Sequence, residues 1–135
     1  MATGSERRLA AACPCESGDA YSKCCRPFHL RVEVPTTACQ LMRSRYAAYA
    51  KGLVPYLEYS WHPDHRPSGL DLDTAQRWTG LRIIECTGGE AEDATGTVEF
   101  IAEYVIGDQA GSVHEVSRFE RVDGRWVYTE PAVPA

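Results

Sequence analysis

The sequence predicts an α+β protein with a small cysteine-rich module at its N-terminal end. Three observations support this class. Helical periodicity comes first along the main domain, strand-like alternation follows it, and four of the six cysteines lie within residues 13–25. Helices followed by antiparallel strands place the helices on one face of the sheet.

Composition and charge limit the classes of function that the protein can have. The chain has 135 residues, 44% hydrophobic and 24% charged, as an ordinary globular chain has. Its net charge of −5 argues against broad attraction to nucleic acid. Residues 1–34 carry five basic and four acidic side chains, whereas residues 35–135 carry nine and 15. We therefore expect a module with an N-terminal arm at 1–34 and one α+β domain at 35–135.

The sequence predicts a cytoplasmic location and no membrane association. It has no apolar run near the 18 to 20 residues that a membrane helix needs. Only Leu9 to Ala12 separate Arg8 from Cys13, whereas a secretory leader needs an apolar stretch of roughly 7 to 15 residues. The thiols are therefore expected to be reduced.

Three helices are predicted at the start of the main domain. Thr36 or Thr37 can cap a helix over 38–51, whose apolar residues recur at helical spacing and which Gly52 ends. A shorter helix is expected over 54–59, with a proline in its first turn. Asp73 can cap one more short helix, which would run through Trp78.

Strands follow from Leu81 onward. The pattern predicts strands over 81–87, 95–106, 112–122 and 126–128, separated by turn-rich stretches. Asp123-Gly124 is a typical two-residue hairpin turn. The strands therefore form an antiparallel meander.

Four cysteines form the most specific pattern in the chain. Cys13 and Cys15 are followed after eight residues by Cys24 and Cys25. Four thiolates on a short loop can close one tetrahedral structural zinc site, which leaves no open position for catalysis. Two disulfides or four unrelated thiols are the alternatives, and His29 could replace one cysteine. We call residues 13–25 the knuckle.

The knuckle resembles a known motif. Its segments Cys13-Pro14-Cys15-Glu16-Ser17-Gly18 and Tyr21-Ser22-Lys23-Cys24-Cys25 resemble the SEC-C motif, the zinc-binding tail also found on the SecA translocation ATPase. That tail contacts proteins and the ribosome, so the resemblance implies zinc binding and a protein partner. Glu16 stands where the motif usually has glycine.

The main domain also resembles a family. Four blocks match the uncharacterised YchJ family, UPF0225: residues 41–49, 60–63, 114–119 and 124–128. The resemblance implies an NTF2-like, cystatin-related fold, in which a cone of helices packs against a curved antiparallel sheet. It implies no established activity.

Several further side chains are candidates for function or packing. Cys39 and Cys86 are isolated and are expected to be buried as small apolar residues. We expect Arg43 and Arg45 to be solvated or paired with sheet carboxylates, with anion recognition as the alternative.

A cavity inside the cone is the main candidate for chemistry. Alternation places Glu115, Ser117 and Phe119 on one face of a strand, where they can line the cone. A carboxylate there can act as an acid or base, or can accept a bond from a helix Arg or Tyr. The residues that could furnish such a pocket are Glu115, Tyr46, Trp61 and Trp126.

The sequence favours a non-enzymatic interaction module that binds a protein partner through the knuckle. The alternative is a small-molecule binder, or an enzyme of hydrolase or isomerase type, that uses the cavity. Binding to nucleic acid is not expected, because five basic residues at 1–34 come without an aromatic stacking platform.

Overall fold

A computed structural model describes residues 11–132 of the chain. Most of the N-terminal arm expected before Cys13 lies outside the described residues. The elements in chain order are a 3-10 turn at Tyr21–Lys23, helices α1 (Arg26–His29), α2 (Ala38–Lys51) and α3 (Val54–Tyr59), and strands β1 (Gln76–Gly88), β2 (Thr95–Ile106), β3 (Gln109–Val122) and β4 (Arg125–Pro131). None of the helices within residues 11–132 has the length and apolar character that a membrane span requires.

Helices α2 and α3 begin and end where the sequence predicts them. The Thr37 hydroxyl caps α2 by accepting a hydrogen bond from the Gln40 N–H at 3.1 Å. Gly52 ends the helix in a left-handed conformation, with φ of 72°. The residues that predicted the two ends of α2 therefore form those ends in the structure.

The third predicted helix, from Asp73 to Trp78, is wrong. The Asp73 carboxylate accepts a hydrogen bond from the Ala75 N–H at 2.9 Å and forms a turn rather than a helix cap. Strand β1 begins immediately after it, at Gln76, and Trp78 pairs with Tyr104 of β2.

The four strands form one antiparallel sheet in the order β1-β2-β3-β4. The predicted meander and α+β class are thus confirmed, and β2 has its predicted bounds. The chain between β3 and β4 is the predicted two-residue turn, in which Asp123 and Gly124 have φ of 52° and 81°.

The main core lies between α2 and the inner face of the sheet. Leu41 and Ala47 of α2 are buried there with Val98 of β2 and Phe119 of β3. The same cluster includes three cysteines of the knuckle, Cys13, Cys15 and Cys25. The knuckle is therefore packed against the domain that follows it.

Candidate functional site

The four cysteines of the knuckle converge on one point. Their Sγ atoms all lie within 4.8 Å of one another, and Cys13, Cys15 and Cys25 are at most 3% exposed. Tetrahedral zinc, with bonds of about 2.3 Å, places its sulfur ligands about 3.8 Å apart. The Cys15–Cys24 and Cys24–Cys25 sulfur distances of 3.5 and 4.0 Å suit that ion. A disulfide needs about 2.0 Å, and all four thiols are free.

The backbone of the knuckle turns tightly around this cluster. The Cys13 N–H donates to the Asp19 carbonyl at 2.9 Å, and the Glu16 N–H donates to the Cys13 carbonyl at 3.1 Å. Glu16 has φ of 60°, in the left-handed region that favours glycine. This conformation explains why a glycine is usual at that position of the motif.

The side chain of Glu16 connects the knuckle to the sheet. Its carboxylate accepts a hydrogen bond from the Leu81 N–H of β1 at 2.8 Å. On the other side, Arg43 Nη1 of α2 donates to the Cys15 carbonyl at 2.6 Å. Arg43 is half-buried, so the expected solvated or ion-paired arginine is wrong there. The cysteine cluster is thus fixed to a helix and to a strand.

His29 supports the knuckle from α1 and stands outside the thiol cluster. Its Nε2 lies 2.8 Å from the Ser44 carbonyl, to which it must donate. Its Nδ1 therefore accepts from the Tyr21 hydroxyl at 2.7 Å. Burial lowers the pKa of His29, which favours this neutral form.

Hydrogen bonds among the four cysteines lower the pKa of one thiol and raise the pKa of another. Hydrogen bonds from the Cys13 and Cys25 thiols lower the pKa of Cys15, because they stabilise its thiolate. The same sharing raises the pKa of Cys13 to about 11, with the bond to Cys15 as the largest cause. Four thiolates in this space would repel one another, and a bound metal cation would offset their charge.

A cavity of about 350 Å³ lies between α2 and the inner face of the sheet. Its wall is mostly aromatic, with a few polar groups. The lining residues are Met42, Arg45, Tyr46, Tyr49, Trp61, Trp78, Phe100, Ala102, Val113, Glu115, Ser117 and Tyr128. Three of the four predicted pocket residues are among them, namely Glu115, Tyr46 and Trp61.

Trp126, the fourth predicted pocket residue, does not line the cavity. It is 2% exposed, and its indole Nε1 donates to the Thr36 carbonyl at 3.1 Å. The Arg121 guanidinium lies over its ring at 4.6 Å. Trp126 is therefore a packing residue that holds β4 to the start of α2.

Trp78 is a cavity residue that was not predicted from the sequence, where Asp73 indicated a short helix through Trp78. In β1 its ring makes edge contacts with Tyr46 and Tyr104, at centroid distances of 6.0 and 5.3 Å. Burial alternates over residues 76–79, as it does in a strand, but Trp78 is the one apolar residue of the four, so their sequence carried no such signal.

Arg45 is buried beside the cavity, with 4% of its surface exposed. Its Nη1 donates to the Leu57 carbonyl at 3.0 Å and to the Ser60 hydroxyl at 2.7 Å. No carboxylate lies within 4.0 Å of it among residues 11–132. The expected solvated or ion-paired arginine is therefore wrong here too. Burial lowers the pKa of Arg45, although a guanidinium remains charged.

Two aromatic rings enclose the Arg45 guanidinium. The centroids of Trp61 and Tyr128 each lie 4.7 Å from its Cζ. Such contacts stabilise a desolvated cation. The indole Nε1–H of Trp61 is itself buried and has no hydrogen-bond partner in the described part of the chain.

Glu115 supplies the acidic group of the cavity. Its Oε2 accepts hydrogen bonds from the Ser117 hydroxyl and, at 3.1 Å, from the Tyr128 hydroxyl. The expected partner on a helix is wrong, because both donors lie on strands. Tyr128 thus contacts Arg45 with its ring and Glu115 with its hydroxyl.

Cys39 and Cys86 differ from the prediction of two buried thiols. Cys39 is half-buried, and Cys86 is exposed. Residues 84–88, the last five of β1, are all exposed, so this end of the strand buries neither of its faces.

The fold and the four-cysteine centre define a protein that combines a SEC-C motif with an NTF2-like domain. A model of the SEC-C motif matches residues 11–27, and a model described as the middle NTF2-like domain of YchJ matches residues 37–131. The chain belongs to the UPF0225 family.

Relatives in that family match most of the chain. The UPF0225 protein SCO1677 of Streptomyces coelicolor is 51% identical over 118 residues, which cover 87% of this chain and 92% of that protein. A UPF0225 protein of Chromobacterium violaceum is 44% identical over 132 residues, with coverage of 96% and 98%. The expected family is thus confirmed.

Two solved structures share the fold. The solution structure of RPA3114, a SEC-C motif containing protein from Rhodopseudomonas palustris, has a TM-score of 0.79 at 33% identity and covers 91% of this chain and 98% of its own. A SEC-C motif containing protein from Psychrobacter arcticus has a TM-score of 0.75 at 23% identity, with coverage of 95% and 86%, and supports the fold alone.

Proposed function

We propose that the chain is a small-molecule-binding protein that holds its ligand in the cavity. The observation that carries this proposal is the aromatic-lined space of about 350 Å³ between α2 and the sheet. Ligand sites are typically concave, mostly apolar and about 300–1,000 Å³ in volume, with few polar groups to orient the ligand. Arg45, Glu115 and Ser117 are such groups. The sequence favoured an interaction module over a small-molecule binder, and the cavity reverses that order.

One structural zinc ion completes the proposal, held by Cys13, Cys15, Cys24 and Cys25. Zinc would crosslink the knuckle and offer no open position to a substrate. Protein purified without a chelator should contain about one zinc per chain. Metal-free protein with an ordered knuckle would contradict this assignment.

Filling the cavity tests the main proposal. Ala102 lines the cavity and is 3% exposed, so Ala102→Leu should occupy part of the space. A neutral aromatic probe, 2-naphthol, should raise the melting temperature of the unaltered protein and bind the variant at least about fivefold more weakly.

Ala110→Leu is the matched control, because Ala110 is an exposed residue of β3 outside the cavity. It should leave probe affinity unchanged. Equal affinity in all three proteins would show that the probe binds elsewhere, and the cavity proposal would be abandoned.

A protein partner is the second candidate, and a separate observation favours it. Leu30, Val32 and Val34 follow the knuckle and are 56%, 75% and 50% exposed. Clustered exposed apolar side chains are typical of interaction sites. Their segment and the exposed loop of the knuckle are the proposed contact surface.

Substitution of Val32 tests this second candidate without disturbing the knuckle. Tyr21 is less suitable, because its hydroxyl is bonded to His29. Val32→Asp should reduce the capture of a specific partner from lysate, whereas Glu33→Gln beside it should not. Equal capture by both variants would exclude the segment as the contact.

A further inference from the structure

The cavity contains one cationic and one anionic side chain, and neither has an ionic partner among residues 11–132. We infer that the ligand is a small organic acid with a flat apolar body and a hydroxyl group, its carboxylate bound by Arg45 and Trp61 and its hydroxyl by Glu115. This inference rests on the proposed function and names the chemical class of the ligand.

Arg45 is the strongest argument for an acid. A guanidinium has five N–H donors, and the hydrogen bonds of Arg45 to Leu57 and Ser60 both come from Nη1. Both acceptors are uncharged, so they compensate only part of the cost of removing a charge from water. A carboxylate would supply the missing countercharge, and its geometry suits a guanidinium.

Trp61 adds a second donor close to the same point. Its Nε1–H is buried without a partner, a state that costs free energy unless a ligand accepts the bond. Its ring centroid lies 4.7 Å from the Arg45 Cζ. Both side chains line the cavity, so a ligand carboxylate at the guanidinium lies beside the indole, and in the inferred complex the indole N–H is its second donor.

The remaining wall fits a flat apolar body. Trp78 and Tyr46 meet edge to face at 6.0 Å, and Phe100 continues the lining on β2. Aromatic walls of this kind favour rings, which can stack or pack at their edges.

Glu115 is the acceptor for a second polar group. Both hydrogen bonds that it accepts go to Oε2, from Ser117 and Tyr128. A carboxylate has two oxygens, so Oε1 retains acceptor capacity for a ligand hydroxyl. The negative charge of Glu115 also disfavours a second carboxylate at that end, which sets the orientation of the acid.

Three matched probes test the inference in the unaltered protein. They are 3-(4-hydroxyphenyl)propionate, its uncharged amide, and 3-phenylpropionate, which lacks the hydroxyl. We expect the hydroxylated acid to bind at least about tenfold more tightly than its amide, because the charge-assisted bond is lost. It should bind about threefold more tightly than 3-phenylpropionate. Isothermal titration measures all three affinities.

The indole N–H resonances report where the acid binds. The chain has three tryptophans, and Trp126 is already bonded to Thr36, so its signal serves as an internal reference. The Trp61 signal, assigned by its loss in Trp61→Phe, should move downfield on addition of the acid. Trp61→Phe removes the N–H donor and keeps an aromatic ring at the position, and it should weaken acid binding about fivefold.

Glu115→Gln tests the other end of the cavity. Removal of its charge should reduce the preference for the hydroxylated acid over 3-phenylpropionate to about twofold or less. Arg45 is not the primary variant, because it also holds Leu57 and Ser60 and its loss would disturb the fold.

The outcomes separate the two proposals. If the acid and its amide bind equally while 2-naphthol still binds the cavity, the inferred ligand class is wrong and the proposed function stands. If the acid binds without moving the Trp61 signal, the inferred site is wrong. If no probe binds, both are overturned.

Discussion

The knuckle and the cavity differ in how their polar groups are satisfied. In the knuckle, Cys13 N–H, the Cys15 carbonyl and the Glu16 carboxylate each have a close hydrogen-bond partner. In the cavity, the Trp61 indole N–H has none among the described residues, and Arg45 has only uncharged acceptors. The polar groups of the knuckle are therefore satisfied within the chain, whereas those of the cavity are satisfied only in part, which is the basis of the proposed ligand site.

Loss of a thiol ligand is expected to have the largest effect, and it should act on the knuckle. Cys25→Ser should abolish stoichiometric zinc binding and lower the free energy of unfolding by about 4 kcal/mol, because loss of a structural metal is among the most damaging single changes. Zinc analysis and chemical unfolding measure the two effects.

Cys86→Ser is the control for that variant, since Cys86 lies on the exposed end of β1. It should retain zinc and stability. A Cys25→Ser protein that kept one zinc per chain would show that Cys25 is not a necessary ligand.

A deletion in the core of the main domain should have the next largest effect. Leu57 is fully buried with Tyr56 and Ala48, so Leu57→Ala should cost about 3 kcal/mol of unfolding free energy. The zinc content of the folded protein should stay at one per chain, because this cluster is separate from that of the cysteines. A parallel loss of zinc would mean that the two regions fold as one unit.

The link between the knuckle and β1 should have a smaller effect. Glu16→Ala removes the bond to the Leu81 N–H and keeps the left-handed backbone, so it should cost about 1 kcal/mol. Glu16→Gly loses the same bond, but glycine adopts the left-handed conformation without strain. Its unfolding free energy should therefore be close to that of the unaltered protein. Thermal unfolding compares the two. If glycine were no better than alanine, the φ of Glu16 would not be a source of strain.

The outer face of the sheet should be the least sensitive. His114 and Glu99 form an exposed contact at 2.7 Å between β3 and β2. His114→Ala should change the unfolding free energy by less than about 0.5 kcal/mol, because exposed ion pairs contribute little. A larger loss in urea unfolding would indicate that this face is covered in solution.

The sequence predicted the elements that depend on local signals. The cap at Thr37, the stop at Gly52 and the turn at Asp123-Gly124 each act over a few residues, and all three occur in the fold. Asp73 misled the prediction, because a carboxylate that accepts a nearby N–H can begin either a helix or a turn. The pairing of Trp78 with Tyr104 decides between them, and that contact is distant in sequence.

Within the candidate site, the cysteine cluster was predictable from local sequence, whereas Arg45 and the cavity depend on residues that are distant in sequence. The four cysteines lie within 13 residues, so their spacing alone indicated a cluster. Arg45 was expected to be solvated or ion-paired, because nothing in its own helix shows that Leu57 and Ser60 will supply acceptors. The volume of the cavity depends on how α2 lies over the sheet, which no local pattern specifies.

The two outer strands of the sheet, β1 and β4, are each partly covered by another segment, and this bears on self-association. The Leu81 N–H of β1 is occupied by Glu16. In β4, the Tyr128 N–H donates to the Ser60 carbonyl and the Tyr128 carbonyl accepts from the His62 N–H. Uncovered edge strands recruit strands from other molecules and promote aggregation. If the proposed zinc is what holds Glu16 against β1, its removal uncovers that strand, and zinc depletion should be followed by edge-to-edge assembly of the protein.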